Sequence, residues 1–192
     1  MSGRVFIVHQ WSSSPDGDWY PWLRDALSER GFEVHVPEMP NPSAPEIDSW
    51  VSTLAESVGP LDSTTYFIGH SVGCQTILRY LESLDEGATV AGALLVAPWL
   101  KLRLEALGED EVSVAEPWLN TPIDWDRVLL HTHNFVAILA ADDPYVPIEN
   151  AELLKEDLNA RVVVQPKGGH LEKAGGYTEL HIALNEFIKM AK

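Results

Sequence analysis

Three short stretches hold the side chains with which this sequence could do covalent chemistry. They are Ser71 inside Gly69-His70-Ser71-Val72-Gly73, the pair Asp142-Asp143, and His170 behind Gly168-Gly169. A serine hydroxyl is a poor nucleophile at neutral pH, and it becomes a good one when a histidine takes its proton as a general base. An aspartate completes the set by fixing the histidine tautomer and stabilising the imidazolium that forms. Together such groups transfer acyl groups: the serine attacks a carbonyl, and the histidine returns the proton to the leaving group. The residues lie far apart along the chain, so the chemistry needs a fold that gathers them.

The elements around each group are legible. Tyr66-Phe67-Ile68 is a β-branched and aromatic run that reads as a buried strand, and after the G-x-S-x-G, Ile77, Leu78, Leu81 and Leu84 recur at helical spacing. Ser71 therefore sits on the corner between a strand and a helix. A turn that sharp strains the serine backbone and brings neighbouring chains close, which excludes side chains at positions 69 and 73. The helix start also aims unpaired N–H groups at any negative charge developing beside the serine. The plainer alternative, a Gly-Ser turn that caps a helix, explains less of the flanking pattern.

Earlier in the chain, Val5–Val8 is continuously apolar and reads as a strand buried on both faces; His9–Gly17 is then a polar loop. Gly17 or Asp18 is expected to cap a helix with Trp22, Leu23, Ala26 and Leu27 on one face, ended by Gly31. Phe32–Val36 is a short strand stopped by Pro37-Glu38-Met39-Pro40-Asn41-Pro42. Ile47, Trp50, Val51, Leu54 and Val58 mark the next helix. Further strands follow at Val90–Ala97, Phe135–Ala140 and Arg161–Gln165, a charged helix at 149–158, and a last helix from Leu180 to Met190. This alternation predicts an α/β fold: a three-layer sandwich with a six-stranded parallel sheet, order 2-1-3-4-5-6, and helices on both faces. Asp142-Asp143 and His170 each follow a strand of it. Ligands bind where the growth of such a sheet reverses, and that point lies between strand one and the strand carrying Ser71. The segment 98–132 has no clear period and is expected to cross over the site with one or two short helices.

Composition narrows the function. With 192 residues, 45% of them apolar, residues 1–192 are expected to form a single domain with a substantial core. A formal net charge of −16 argues against nucleic acid and anionic membrane surfaces as partners, since both attract clustered Lys and Arg. Cys74 is the sole cysteine, so no internal disulfide is expected, and its place behind Ser71 suits a small core residue. No charged-then-apolar leader opens the chain, and no apolar run reaches the roughly 18 residues of a membrane span. A cytoplasmic location is expected. His131-x-His133 lacks the third ligand that zinc needs, so no metal and no cofactor are expected.

Five stretches carry a resemblance across nearly the full length: Trp19-Tyr20-Pro21-Trp22-Leu23, Val36-Pro37-Glu38-Met39-Pro40-Asn41-Pro42, the Ser71 elbow, Asp142-Asp143-Pro144-Tyr145-Val146-Pro147, and Gly168-Gly169-His170. The chain resembles the small serine hydrolases of the retinoblastoma-binding protein 9 and YdeN type, a minimal branch of the α/β-hydrolases. That resemblance implies the order Ser71, Asp, His170 for the catalytic groups. Asp143-Pro-x-Val-Pro is similar to the acid turn of these enzymes, which favours Asp143 as the acid and leaves Asp142 to shape the loop or cap a helix. An oxyanion hole is implied at the Val72 N–H and on the loop after the first strand. There Val8-His9-Gln10-Trp11 resembles a His-Gly-x loop, pointing to the Trp11 N–H; Gln10 replaces the usual glycine and could itself donate.

The expected reaction is therefore hydrolysis of carboxylic esters, thioesters or amides of small molecules through an acyl-enzyme on Ser71. The competing reading is a protein-interaction module that keeps the scaffold without turnover. Trp99, Trp118, Trp125 and Tyr145 are candidates to line an apolar acyl or aromatic pocket, with Gln10 beside them. The Leu-x-Cys-x-Glu motif of the human namesake is missing around Cys74, so binding of a retinoblastoma-type pocket protein is not expected.

Overall fold

Strands that are apolar without alternation bury both of their faces, and each face then needs its own helices. The computed structural model, which describes residues 3–192, meets that need with six strands and seven α-helices. The strands are β1 (Arg4–Val8), β2 (Glu33–His35), β3 (Thr65–His70), β4 (Gly92–Val96), β5 (Phe135–Ala140) and β6 (Arg161–Gln165). All pair in parallel, in the order β2-β1-β3-β4-β5-β6. The helices are α1 (Tyr20–Ser28), α2 (Ile47–Val58), α3 (Val72–Ser83), α4 (Glu109–Asn120), α5 (Trp125–Leu129), α6 (Asn150–Leu158) and α7 (His181–Met190).

Successive strand residues point to opposite faces, so one strand feeds two cores. Phe6, Val8, Phe67, Leu95, Ala137 and Leu139 pack against Trp50 and Leu54 of α2, Ile77 and Leu81 of α3 and Leu154 of α6. Val5, Ile7, Ile68, Leu94, Val136 and Ile138 pack the other way, against Leu23 and Leu27 of α1 and Ala183 and Phe187 of α7. This is the three-layer α/β architecture expected above. The first chain crossing places β2 outside β1, the next returns past β1 to β3, and the carboxyl ends of β1 and β3 open at that reversal.

Local boundaries differ from expectation for physical reasons. Helix α1 starts at Tyr20 behind Trp19 with no side-chain cap, because the Asp18 carboxylate is engaged elsewhere, by the Lys173 N–H (2.9 Å) and the Ser13 hydroxyl (2.7 Å). Strand β4 is shorter than Val90–Ala97, since Val90 N–H donates to His131 O and Ala97 turns left-handed at φ 47°. The excursion 98–132 holds a 3₁₀ turn at Leu104–Ala106 besides α4 and α5, and α4 is a full twelve residues. Its apolar period is weak because only Ala115 and Trp118 are buried along it. Among the described residues no helix is long and apolar enough to cross a membrane.

Candidate active site

Ser71 joins β3 to α3 with φ 54° and ψ −118°, a conformation that costs an L-residue on the order of 1–3 kcal/mol. Its N–H donates to Val96 O at 2.9 Å, which ties the corner to β4. The two glycines are required by close approach. A Cβ on Gly69 would stand 2.7 Å from Cys74 N, and one on Gly73 would collide with the carbonyl oxygens of Val8 and His9. Helix α3 can thus start directly beneath β1 and β3, and Ser71 is presented to a cleft while the residue stays 94% buried, its exposure being 6%.

The loop after β5 separates the two aspartates. Asp142 Oδ1 accepts the N–H groups of Gly168 (2.7 Å) and Gly169 (2.9 Å), which hold its carboxyl below the usual range and bind this loop to the one carrying His170. Asp143 points inward. Its Oδ1 accepts from the Tyr145 and Val146 N–H groups (2.8 and 3.0 Å), and its Oδ2 lies 2.8 Å from His170 Nδ1. A carboxylate only accepts, so His170 donates from Nδ1, and Nε2 is the ring nitrogen left without a partner. Tyr145 packs edge-on against the imidazole, with ring centroids 5.3 Å apart.

The loop after β1 holds the third part. His9 is fully buried; its Nδ1–H donates to Gln10 O (2.8 Å), its Nε2 accepts from Met39 N–H (3.2 Å), and burial lowers its pKa, so the ring is neutral. Gln10 departs from expectation. Its side-chain amide is spent on Asp18 Oδ2 (3.1 Å) and Glu172 Oε2 (3.0 Å), so it steadies the loop and has no hydrogen left for an oxyanion. The backbone N–H groups of Trp11 and Val72, by contrast, donate to no acceptor among the described residues.

These parts share one cleft of about 160 Å³, lined by Ser71 and His170, by Gln10, Trp11 and Ser12, and by a wall from beyond β4 and β5. That wall holds Trp99, Leu102, Leu107 and Tyr145, with Glu111 and Glu172 at its edge. In this resting arrangement Ser71 Oγ accepts from the Trp99 indole N–H at 3.3 Å and makes no hydrogen bond to His170. Trp118 and Trp125 are not in the cleft, contrary to expectation. Trp118 is buried against Trp50 and donates to Pro45 O (2.9 Å), and Trp125 packs against the same core. A long apolar ring inside an irregular segment is as apt to fill a core as to line a pocket. Leu102, Leu107, Glu111 and Glu172 left no sequence signal, since no periodicity marks a loop-borne wall. His131 is buried and donates from Nδ1 to Ala88 O (2.8 Å), while His133 is exposed.

Comparison with known proteins agrees with this fold. The sequence profile of the family described as serine hydrolase matches residues 5–188. The chain belongs to the serine hydrolase family. Among its relatives is YdeN of Bacillus subtilis (strain 168), 28% identical over 182 residues that cover 95% of this chain and 93% of that one. The serine hydrolase RBBP9 of Rattus norvegicus is 26% identical over 175 residues, 91% of this chain and 84% of the rat protein. The crystal structure of the B. subtilis ydeN product superimposes with a TM-score of 0.88 at 27% identity, covering 98% of each chain. This serine hydrolase is therefore an enzyme of the α/β-hydrolase fold, and both types named by the sequence resemblance are among its relatives.

Proposed function

We propose that this serine hydrolase cleaves carboxylic esters, and by the same chemistry thioesters or amides, of small molecules through an acyl-enzyme on Ser71. The observation that carries the reading is the His170–Asp143 pair at 2.8 Å, made through Nδ1 by a histidine that lines the same cleft as the strained serine. Ser71 Oγ leaves the Trp99 N–H by rotation about its side-chain bond and attacks the carbonyl carbon as Nε2 takes its proton. Catalytic hydrogen bonds are often loose in an unliganded site and tighten with substrate. Negative charge moves to the carbonyl oxygen, where the Val72 and Trp11 N–H groups receive it, the former at the start of α3. Collapse breaks the bond to the leaving group, which takes the proton from His170, and water repeats the sequence to release the acid and restore Ser71.

A cleft of about 160 Å³ is close to a cavity of about 150 Å³ that accommodates one benzene ring. Acyl groups of about two to six carbons fit that size, and kcat/KM over a series of p-nitrophenyl esters is expected to peak there; a rise through twelve carbons would contradict it. The primary test is an alkyl fluorophosphonate. Wild type is expected to be labelled and Ser71→Ala not, whereas an unlabelled wild type would favour the non-catalytic interaction module.

A further inference from the structure

Tyr20 and His70 are fully buried beneath the cleft, each 0% exposed, and neither lines it. They form one continuous path. Gln10 N–H donates to Tyr20 Oη (3.0 Å), Tyr20 Oη lies 2.8 Å from His70 Nδ1, and His70 Nε2 lies 2.9 Å from the carbonyl oxygen of His170. The direction of every bond is determined. A carbonyl oxygen can only accept, so Nε2 of His70 must carry a proton. Burial first, and then the neighbouring His170, push His70 down to about 3, so the ring is neutral and its Nδ1 is bare. Tyr20 must then donate to Nδ1 while its oxygen accepts from Gln10.

We propose that Tyr20 and His70 are positioning residues: this one-way relay sets the peptide of His170 from the loop that carries the Trp11 N–H, keeping general base and oxyanion donor in register. The proposal rests on the hydrolase reading above. The path joins the loop after β1, the last residue of β3 and the loop after β6, and so reaches the loop of the oxyanion donor, the residue before the nucleophile and the base itself. Reversing the His70 tautomer would set a lone pair against His170 O, so the Tyr20 hydroxyl holds the base in place through an intermediate ring. The next peptide has its own anchor, Trp19 Nε1–H to Leu171 O at 2.9 Å, so the relay governs position 170 in particular. His70 is faced by the Trp19 and His170 rings, at centroid distances of 5.3 and 5.4 Å, and by the fields of Asp18 and Asp143. A fully satisfied buried network of this kind specifies one arrangement where apolar packing would tolerate several.

The test compares Tyr20→Phe, His70→Gln, His70→Leu and the double variant Tyr20→Phe/His70→Leu with a neutral short-chain p-nitrophenyl ester. Displacing a catalytic group by a fraction of an ångström acts on turnover, so His70→Leu is expected to lower kcat about tenfold or more with KM changed less than about threefold. His70→Gln, which keeps an N–H near the Nε2 position, should recover most of that loss. Tyr20→Phe should fall between them, and the double variant should be no worse than His70→Leu, because both remove one path. Wild-type turnover in a folded His70→Leu, a loss confined to KM, a Gln variant no better than Leu, or losses that multiply would each overturn the relay. Nitrogen NMR of wild type and Tyr20→Phe reads the same point without turnover and without His70→Leu folding. A non-titrating Nε2–H ring between pH 5 and 9 is expected in wild type and mixed tautomers in Tyr20→Phe; a titrating His70 in wild type, or an unchanged tautomer in the variant, would refute it. Failure of the hydrolase reading looks different: wild type itself would show no turnover that depends on Ser71.

Discussion

At the scale of single residues, the two adjacent aspartates show how one peptide step separates structure from chemistry. Asp143 gives one oxygen to two backbone N–H groups and the other to His170, so replacing it by Asn removes the charge that holds the Nδ1–H tautomer. If the proposed mechanism holds, Asp143→Asn is expected to reduce kcat by as much as about 10⁴-fold, the effect of such a change in a Ser-His-Asp triad. Asp142→Asn keeps an oxygen able to accept from Gly168 and Gly169, and should lose less than about tenfold. Steady-state kinetics of the two variants decide it, and a larger loss at Asp142 would reverse the assignment. Cys74 sits one helical turn from Ser71 but is not a reactive thiol: burial raises its pKa, and its Sγ donates to Val96 O at 3.3 Å. It should stay unmodified by a thiol-specific disulfide reagent in the folded protein and react fully in denaturant.

At the scale of elements, the site depends on how closely α3 approaches β1. Gly73 has an ordinary backbone conformation, so its lack of a side chain matters only for space, the carbonyl oxygens of Val8 and His9 lying where a Cβ would go. Gly73→Ala must push the helix away or distort the end of β1. A loss of about 3 kcal/mol is expected by urea denaturation, at the upper end of the usual cost of core overpacking. A variant as stable as wild type would show that helix and strand can part cheaply. The excursion 98–132 contributes in another way. Its α4 and α5 bury Trp118 and Val128 in the core, while the residues before them, Leu102 and Leu107, wall the cleft. A single segment thus supplies both anchorage in the core and part of the cleft wall.

At the scale of the whole molecule, the buried neutral histidines link stability to pH. His9 and His70 have pKa values lowered by burial, that of His70 to about 3, while the unfolded chain binds their protons near 6.5. Below pH 6.5 the unfolded state therefore holds more protons than the native state, and stability contributed by the neutral rings is lost as pH falls toward 3. For His70 the slope approaches about 1.4 kcal/mol per pH unit. The chain also sheds its net charge of −16 on acidification, which relieves self-repulsion and acts in the opposite sense. Comparing wild type with His70→Gln cancels that shared effect. The gap in urea midpoint between the two should narrow or reverse from pH 7 to pH 4, and a constant gap would show that His70 is not held neutral.

Much of this protein is written locally in its sequence. Apolar runs without alternation mark strands covered on both sides, helical spacing marks the covering layers, and paired glycines around Ser71 mark a corner too tight for side chains. From these the sheet order and the positions of Ser71 and His170 follow, because each depends on residues a few places apart. Which aspartate turns inward, why Gln10 is tied to Asp18 and Glu172, and why Trp118 fills a core while Trp99 reaches the serine depend on contacts between residues dozens of positions apart. Direction of a side chain in a loop, and the partner that satisfies a buried N–H, are set only when distant segments meet. The path from Gln10 through Tyr20 and His70 to His170 is of that kind: its members span 160 residues of chain and are joined by three hydrogen bonds.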